Sequence, residues 1–265
     1  MIFNVIVTAV PLMFASLGAL VSEYAGVLAV FIDGVINFSA FLTYTFTVWT
    51  GNVFFAICLS ALCSSLSIFL FAIITEKVRM NPFLSATALN LFYSSMTSVL
   101  SSLIFKTRGV LASPAFQFDH FATGVSVSGL ALLVCVFALL FLFRTPHGIY
   151  LRITGSDSDV LEAKGISSMR CRIYAWGLSA LFASMAGSVL ALKIQSFVPN
   201  ISAGRGWISL AIIFIGKKKL PFVAAAVLVF CAAEYFGITL QSFLPSTAIN
   251  SIPYLVALVL IAVQR

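Results

Sequence analysis

Acidic and amide side chains stand inside four long apolar stretches of this 265-residue chain. They are Glu23, Asp33, Asn90 with Tyr93 close behind it, and Glu234. Such groups are costly in an apolar segment and tend to face the interior of a helix bundle. There they can accept hydrogen bonds from hydroxyl or ring N–H groups of a solute, or they can bond helices to one another. A carboxylate can also titrate, which is the chemistry of ion-coupled transport.

The residues around these groups bear on whether they line a path or serve the structure. Gly34 follows Asp33 and predicts irregular backbone beside a path, although a structural role for Asp33 is equally open. The Ser22–Glu23 turn favours a structural role for Glu23, and Asn90 is favoured as a hydrogen bond between helices. Glu234 stays undecided. The candidate path residues are Glu23, Phe31, Asp33, Asn37, Asn90, Tyr93 and Glu234.

Aromatic residues form a second set of candidates near the same stretches. Phe31, Phe38, Tyr44 and Tyr93 can present a stacking surface to a planar ring, which would favour a nucleoside or a flavin over a free sugar. The chain has 26 phenylalanines, and lipid-facing or packing roles account for most of them. Periodicity does not separate these roles in segments that are apolar all round.

The composition indicates a membrane protein. Hydrophobic residues make up 61% of the chain and charged residues 9%, with a mean hydropathy of +1.12, whereas a soluble domain carries about 25% charged residues. A soluble enzyme, a secreted disulfide scaffold, a coiled coil and a disordered tail are excluded. The net charge of +7 sits at the ends of apolar runs, which indicates a bilayer rather than nucleic acid. The five cysteines include no CxxC pair, so no metal site is predicted.

Apolar stretches long enough to cross a bilayer, about 20 residues each, define the predicted spans. Two of them are doubtful as plain helices, because 27–49 contains Asp33–Gly34 and Asn37, and 203–216 is short and begins Ala203–Gly204–Arg205–Gly206. We predict an all-α polytopic membrane protein, a single transmembrane domain over 1–265, with about eight transmembrane helices and one or two broken or re-entrant segments. The stretches are 4–22, 27–49, 53–75, 84–104, 122–143, 173–192, 203–216, 220–240 and 246–264.

The lysines and arginines orient the predicted helices, because cytoplasmic loops carry the excess of these residues. If the polar loop 144–172 is cytoplasmic, alternating crossings leave only four of the 15 outside. These four are Lys106, Arg108, Lys193 and Arg205. The split requires the short segment 203–216 to carry the chain from outside to inside. It does not orient the first segment, because the first lysine or arginine is Lys77.

The loop 144–172 is the one polar stretch long enough to fold by itself. Ser156 or Asp157 can cap a short helix there, and Gly165 supplies a left-handed stop. We predict a helix of two turns across the membrane face. A long loop in a chain of short loops is usually functional, which favours contact with a soluble partner over a simple connector. Gly216–Lys217–Lys218 lacks the glycine of a phosphate-binding loop, so any ATPase would be a separate polypeptide.

Three sequence motifs stand in order along the chain. Residues 18–27 read GALVSEYAGV, with Asp33–Gly34 after them. The loop contains Arg144–Thr145, Gly148, Leu151–Arg152, Gly155 and Gly165–Ile166. Residues 204–211 read GRGWISLA, and Gly216 follows. In these motifs the chain resembles the permease subunits of bacterial ABC importers, in the family that serves simple sugars, nucleosides and branched-chain amino acids.

This resemblance implies alternating access without chemistry on the solute. Two permease subunits would enclose a path in the bacterial inner membrane, and an external binding protein or lipoprotein would deliver the solute. ATP and magnesium would bind a partner ATPase, so this chain would hold no cofactor. The loop helix would be the coupling helix, seated in a cleft of that ATPase. The residues for this contact are Asp157, Asp159, Leu161, Glu162, Lys164 and Gly165.

The expected solute is nucleoside-like, with riboflavin as a candidate because the entry region departs from the family pattern. Tyr24 stands where the family commonly has Arg, Ala29 where it has Asn, and Phe31 where it has Gly. Two other classes stay open at this point. An ion-coupled secondary transporter would titrate one of the acidic groups named above, and a non-transporting scaffold would leave the capped helix without a role.

Overall fold

A computed structural model describes residues 2–117 and 144–239, together with isolated positions between 118 and 143 and beyond 239. Within these residues the chain forms nine α-helices and a 3₁₀ turn at Pro114–Phe116. The helices are α1 Ile2–Tyr24, α2 Ile32–Thr50, α3 Val53–Lys77, α4 Pro82–Phe105, α5 Pro146–Ser156, α6 Ser158–Ala163, α7 Ser168–Ile194, α8 Arg205–Ile215 and α9 Leu220–Thr239. The predicted spans 122–143 and 246–264 fall outside the described residues.

The predicted all-helical membrane fold is confirmed. Among the described residues, four helices are long and apolar enough to cross a bilayer: α3, α4, α7, and α9 as far as Gly237. In its most apolar window α7 is 78% buried, against 28% for α3, 22% for α4 and 33% for α9. The helix α7 is therefore the centre of the bundle, and α3 and α4 direct most of their apolar surface to lipid or to another subunit.

Small residues allow the helices around α7 to approach closely. A Cβ on Gly187 would lie 2.2 Å from the Ile36 carbonyl oxygen of α2, and a Cβ on Gly18 of α1 would lie 2.8 Å from the Ser179 carbonyl oxygen. Where α2, α3 and α7 meet, Thr43 Oγ1 lies 2.9 Å from Ser60 Oγ and 2.8 Å from Ser188 Oγ. Close backbones and buried hydroxyl pairs are the usual means of holding helices together in a membrane.

The helix α2 begins inside the bundle after an irregular stretch, 25–31. An interruption of the segment 27–49 was predicted correctly, but its place was wrong: Asp33, Gly34 and Asn37 lie within the first two turns of α2. Gly34 is helical and serves a close contact, because a Cβ there would lie 2.7 Å from the Asn90 carbonyl oxygen of α4. The glycine therefore marks a helix crossing rather than irregular backbone.

The segment 203–216 is a half-helix, as the sequence indicated. The eleven residues of α8 extend about 16 Å, roughly half of the hydrocarbon core. The irregular stretch 195–204 spans the rest of the crossing. Paired backbone hydrogen bonds of 2.8 and 3.0 Å join its Phe197 to Leu111.

The far end of α8 lies on the side of the loop 144–172, which we call the inner side. Lys218, in the turn after α8, contacts Glu23 at the end of α1. The end of α1 in turn lies against Gly155 of α5. The segment 203–216 therefore carries the chain to the inner side, as the distribution of basic residues required.

Replacing Gly187 with alanine is expected to destabilise the folded protein by about 1–3 kcal/mol, the usual cost of overpacking. The added Cβ would lie 2.2 Å from both the Ile36 oxygen and Ser39 Oγ, so α2 and α7 would have to separate. Thermal unfolding of the purified protein in detergent measures the effect. Gly109→Ala is the matched control, since its Cβ would meet only Thr107 Oγ1, at 3.5 Å. Equal melting temperatures for both variants would contradict close packing of α2 on α7.

Candidate functional site

Two helices begin inside the bundle, and each takes a hydrogen-bond acceptor from another helix. The first N–H groups of a helix have no partner within it, and hydrocarbon offers none. Asn90 Oδ1 of α4 accepts from the Gly34 N–H in the first turn of α2. Asp33 Oδ1 of α2 accepts from the Gly206 N–H in the first turn of α8, at 3.0 Å. The Asp33 carboxylate also faces the positive end of the α8 dipole.

Asn37 fastens the irregular stretch 195–204 to α2. Its Oδ1 accepts from the Ser202 N–H at 3.0 Å, and its Nδ2 donates to Ser202 Oγ at 2.9 Å. The Asn37 side chain is buried, so these bonds replace the water that this backbone would otherwise need. Asp33, Asn37 and Asn90 therefore hold α2, α4 and α8 in one place, which we call the junction.

Arg205 and Glu234 add an ion pair to the junction. Arg205 is the first residue of α8, where its positive charge lies unfavourably at the positive end of the dipole, and Glu234 of α9 offsets that charge. Arg205 was predicted to lie outside. In the structure Arg205 is the first residue of α8, at the end opposite the inner turn, and its partly exposed side chain pairs with Glu234.

The remaining predicted path residues make other contacts and are not bonded to Asp33, Asn37 or Asn90. Glu23 lies at the inner end of α1, and its Oε1 is 2.7 Å from Lys218 Nζ. Phe31 is fully buried and stacks on Trp176, with ring centroids 5.1 Å apart. Tyr93 donates its hydroxyl to Ser67 Oγ at 2.7 Å.

The aromatic residues that the sequence suggested as a stacking surface are all buried. Phe38 packs on Tyr93 with centroids 5.0 Å apart, and Tyr44 packs on Phe105 and Phe116. None of Phe31, Phe38, Tyr44 and Tyr93 is more than 7% exposed. In this conformation they present no open face to a planar ring.

A polar cavity of about 160 Å³ lies next to the junction, between α2, α4 and the stretch 195–204. Its lining residues are Asn37, Ser94, Thr97, Ser98, Ser101, Arg108, Phe197, Pro199 and Asn200. Amides and hydroxyls can both donate and accept hydrogen bonds, and the one charged group in this lining is the Arg108 guanidinium. Because Arg108 follows the outer end of α4, the cavity lies in the outer half of the bundle.

This cavity was not predicted, although α4 carries a signal for it. Asn90, Ser94, Thr97 and Ser101 recur every three or four residues, which places them on one face of a helix. A polar stripe on one face of a transmembrane helix needs polar neighbours. The stripe was not predicted because the candidate residues were chosen as single polar groups in apolar stretches. Asn200 and Ser202 were not predicted for the same reason.

The predicted helix of the loop 144–172 is present as α6, joined to α5 by one residue. Asp157 closes α5 through its N–H, which donates to the Ile153 oxygen at 2.8 Å, and caps α6 by accepting from the Asp159 N–H at 3.2 Å. Gly165 has a φ of 76°, and the Ile166 N–H donates to the Leu161 oxygen. The capped helix and its left-handed stop are confirmed, with Asp157 rather than Ser156 as the cap.

The side chains of α6 divide between the bundle and solvent. Leu161 is 1% exposed, whereas Val160 is 43% exposed. Glu162 accepts from Ser168 Oγ of α7 at 2.7 Å. The prediction that Leu161 faces a partner is therefore wrong, because so short a helix needs an apolar side chain to anchor it to the bundle. The other predicted contacts, Asp157, Asp159, Glu162, Lys164 and Gly165, are all exposed.

Comparisons with known proteins agree with the motifs. Residues 1–263 match the family described as branched-chain amino acid transport system, permease component. The nucleoside ABC transporter permease protein NupC of Lactococcus lactis is 25% identical over 98% of this chain and 90% of its own length. The guanosine ABC transporter permease protein NupQ of Bacillus subtilis is 26% identical over 91% of this chain and 82% of its own length. A putative glucose ABC transporter permease protein, TsgC13 of Haloferax volcanii, is 26% identical over 80% and 68%.

The fold also has a counterpart among solved structures. PsaBC from Streptococcus pneumoniae, in complex with Fab, superposes with a TM-score of 0.56 at 13% identity, over 98% of this chain and 89% of that one. At this identity the likeness concerns the fold alone.

Replacing Asp33 with alanine is expected to destabilise the protein by about 1–3 kcal/mol, the cost of a buried donor without a partner. The Gly206 N–H would lose its acceptor in a part of the bundle that water does not reach. Asp33→Asn is the matched control, because the amide oxygen can still accept this bond. Thermal unfolding in detergent compares the two. If both variants melt alike, the bond to α8 is not what Asp33 contributes.

Proposed function

The chain belongs to this family of transport-system permeases, and from that premise we propose that it is one permease subunit of an ATP-driven importer for a nucleoside-like solute. As a permease component it carries solute and is not the catalytic subunit. A separate ATPase, a second permease subunit and an external binding protein complete the importer in a bacterial inner membrane.

The polar cavity is the observation that carries this proposal. Its amides and hydroxyls suit the hydroxyl groups of a ribose and the N–H and carbonyl groups of a base. Arg108 is the only charge among the lining residues and disfavours a cationic solute. The position in the outer half of the bundle suits a solute that arrives from outside. Two of the relatives named above are described as nucleoside or guanosine permeases.

The size of the cavity supports a second permease subunit. Small-molecule sites usually enclose about 300–1,000 Å³, and this cavity has about 160 Å³. Ser94 and Ser98 on its α4 wall are exposed, so the cavity is open at the surface of this chain beside α4. A neighbouring subunit on this face of α4 would complete the wall and enlarge the site.

The alternatives from the sequence receive less support. An ion-coupled transporter needs an available carboxylate, but Glu23, Asp33 and Glu234 are each bonded within the chain. The relatives named above are described for nucleoside, guanosine or glucose transport and not for riboflavin. We therefore retain neither riboflavin nor ion coupling.

The outward side of α6 supplies the contact with the ATPase in this proposal. Val160 offers an apolar side chain to a cleft, and Asp159 and Lys164 beside it offer opposite charges. Because Asp157 alone connects α6 to α5, the two helices have little freedom to move independently. A displacement of α6 therefore displaces α5.

Replacing Ser98 with leucine is expected to abolish uptake while the complex still assembles and hydrolyses ATP. The larger apolar side chain would fill the cavity and remove one of its hydroxyls. The measurement is ATP-dependent uptake of labelled guanosine into proteoliposomes that hold the complex, purified through a tag on this chain, with its binding protein outside. Ser95→Leu, on a neighbouring exposed face of α4, is the matched control. Normal uptake by the Ser98 variant would exclude this cavity as the solute path.

Replacing Val160 with aspartate is expected to lower ATP-dependent uptake by about tenfold or more, since an unpaired charge in an apolar contact costs at least about 1.4 kcal/mol. Less ATPase should co-purify with this variant. Val110→Asp is the matched control, because Val110 is 60% exposed on the outer side. Unchanged uptake and co-purification for Val160→Asp would remove α6 as the docking element.

A further inference from the structure

The inner end of α1 touches both the loop helices and the half-helix α8. We propose that Tyr24 and Glu23 transmit movement of α6 to α8 through one residue, Lys218. This inference rests on the proposed function, because it takes α6 as the element that an ATPase moves. Three contacts in series carry it.

The first contact joins α5 to α1 without intervening side chains. A Cβ on Gly155 would lie 2.3 Å from the Tyr24 carbonyl oxygen and 2.7 Å from the Gly26 nitrogen. The left-handed Gly26, with a φ of 77°, turns the chain around this point. Backbone packed directly on backbone leaves no flexible side chain to absorb a displacement. Since Asp157 alone separates α5 from α6, a shift of α6 moves the end of α1.

The second contact fixes the end of α1 to Lys218 at two points. The Tyr24 hydroxyl donates to the Lys218 carbonyl oxygen at 2.7 Å. Lys218 Nζ lies 2.7 Å from Glu23 Oε1. One bond holds the backbone of Lys218 and the other its side chain, so Lys218 follows α1.

The third contact makes the Lys218 turn part of α8. The Lys218 N–H donates to the Ile213 oxygen at 3.0 Å, and the Gly216 N–H to the Ile212 oxygen at 2.8 Å. The turn therefore closes the carboxyl end of α8. The other end of this half-helix, about 16 Å away, is bonded to Asp33 in the junction beside the polar cavity.

The geometry of Lys218 favours a positioning role over a purely stabilising one. Its side chain is 48% exposed, and ion pairs at such exposure add little stability because water screens them. Its backbone is left-handed, with a φ of 57°, a conformation that is unfavourable for a residue with a Cβ. Strained residues persist where surrounding contacts determine the backbone, as the Tyr24 bond does here.

The experiment measures uptake of labelled guanosine per ATP hydrolysed, in the same assembled complexes and proteoliposomes. Tyr24→Phe removes only the hydroxyl, and Lys218→Met removes the ammonium group but keeps a long unbranched side chain. Each is expected to lower uptake per ATP by about fivefold, the low end of coupling between sites, while ATPase activity and assembly persist. The double variant Glu23→Lys, Lys218→Glu restores the ion pair. It is expected to show a higher uptake per ATP than Glu23→Lys alone or Lys218→Glu alone.

Matched controls separate coupling from folding. Lys217→Met makes the same change in the same left-handed turn, and Tyr174→Phe removes another hydroxyl from an inner, 63% exposed side chain; both should transport normally. Unchanged uptake per ATP for Tyr24→Phe and Lys218→Met would overturn the proposal. The proposal would also be overturned if uptake and ATPase activity fell in equal proportion and the double variant Glu23→Lys, Lys218→Glu did not restore them. If the unsubstituted complex shows no ATP-driven uptake, it is the proposed function that fails.

Discussion

Backbone N–H groups that begin a helix inside hydrocarbon must find acceptors within the protein, and this requirement organises the centre of the bundle. The helices α2 and α8 both begin there. Asn90 supplies the acceptor for α2 and Asp33 the acceptor for α8. Because an unpaired buried donor costs about 1–3 kcal/mol, these two bonds fix where the helices start. They thereby fix how α4, α2 and α8 lie around the polar cavity.

The same requirement divides the polar residues of the membrane region into two groups. One group, which includes Asp33 and the Thr43–Ser60–Ser188 cluster, already makes hydrogen bonds within the chain. Those on the cavity face of α4, such as Ser94 and Ser98, are exposed and remain available. The acidic residues Asp33 and Glu234 of this apolar bundle serve the fold. The solute path in our proposal is lined by amides and hydroxyls, with Arg108 as the one charge among the lining residues, which suits a solute that is not cationic.

The sequence was sufficient for features that depend on neighbouring residues. Composition gave the membrane class, and the Asp157 and Gly165 signals gave a short capped helix, because caps and stops act within a few residues. Contacts between distant segments could not be predicted from the sequence. Asp33 bonds to Gly206, 173 residues away, and the inward side of α6 depends on what lies beneath it. Gly34 was misread for this reason, since its role comes from Asn90 on another helix.

In our proposal, the half-helix α8 combines these constraints and is the element that serves alternating access. A full transmembrane helix would connect the two sides of the membrane along one rigid rod, but α8 begins within the bundle, where Asp33 and Glu234 hold its first turn. Its inner end is held by Lys218. Hydrogen bonds and ion pairs are short-ranged, so a shift at the inner end must either break the bonds at the junction or move the junction with it. In our proposal, both the solute and the ATPase therefore bias the position of α8, which is what thermodynamic coupling between two sites requires.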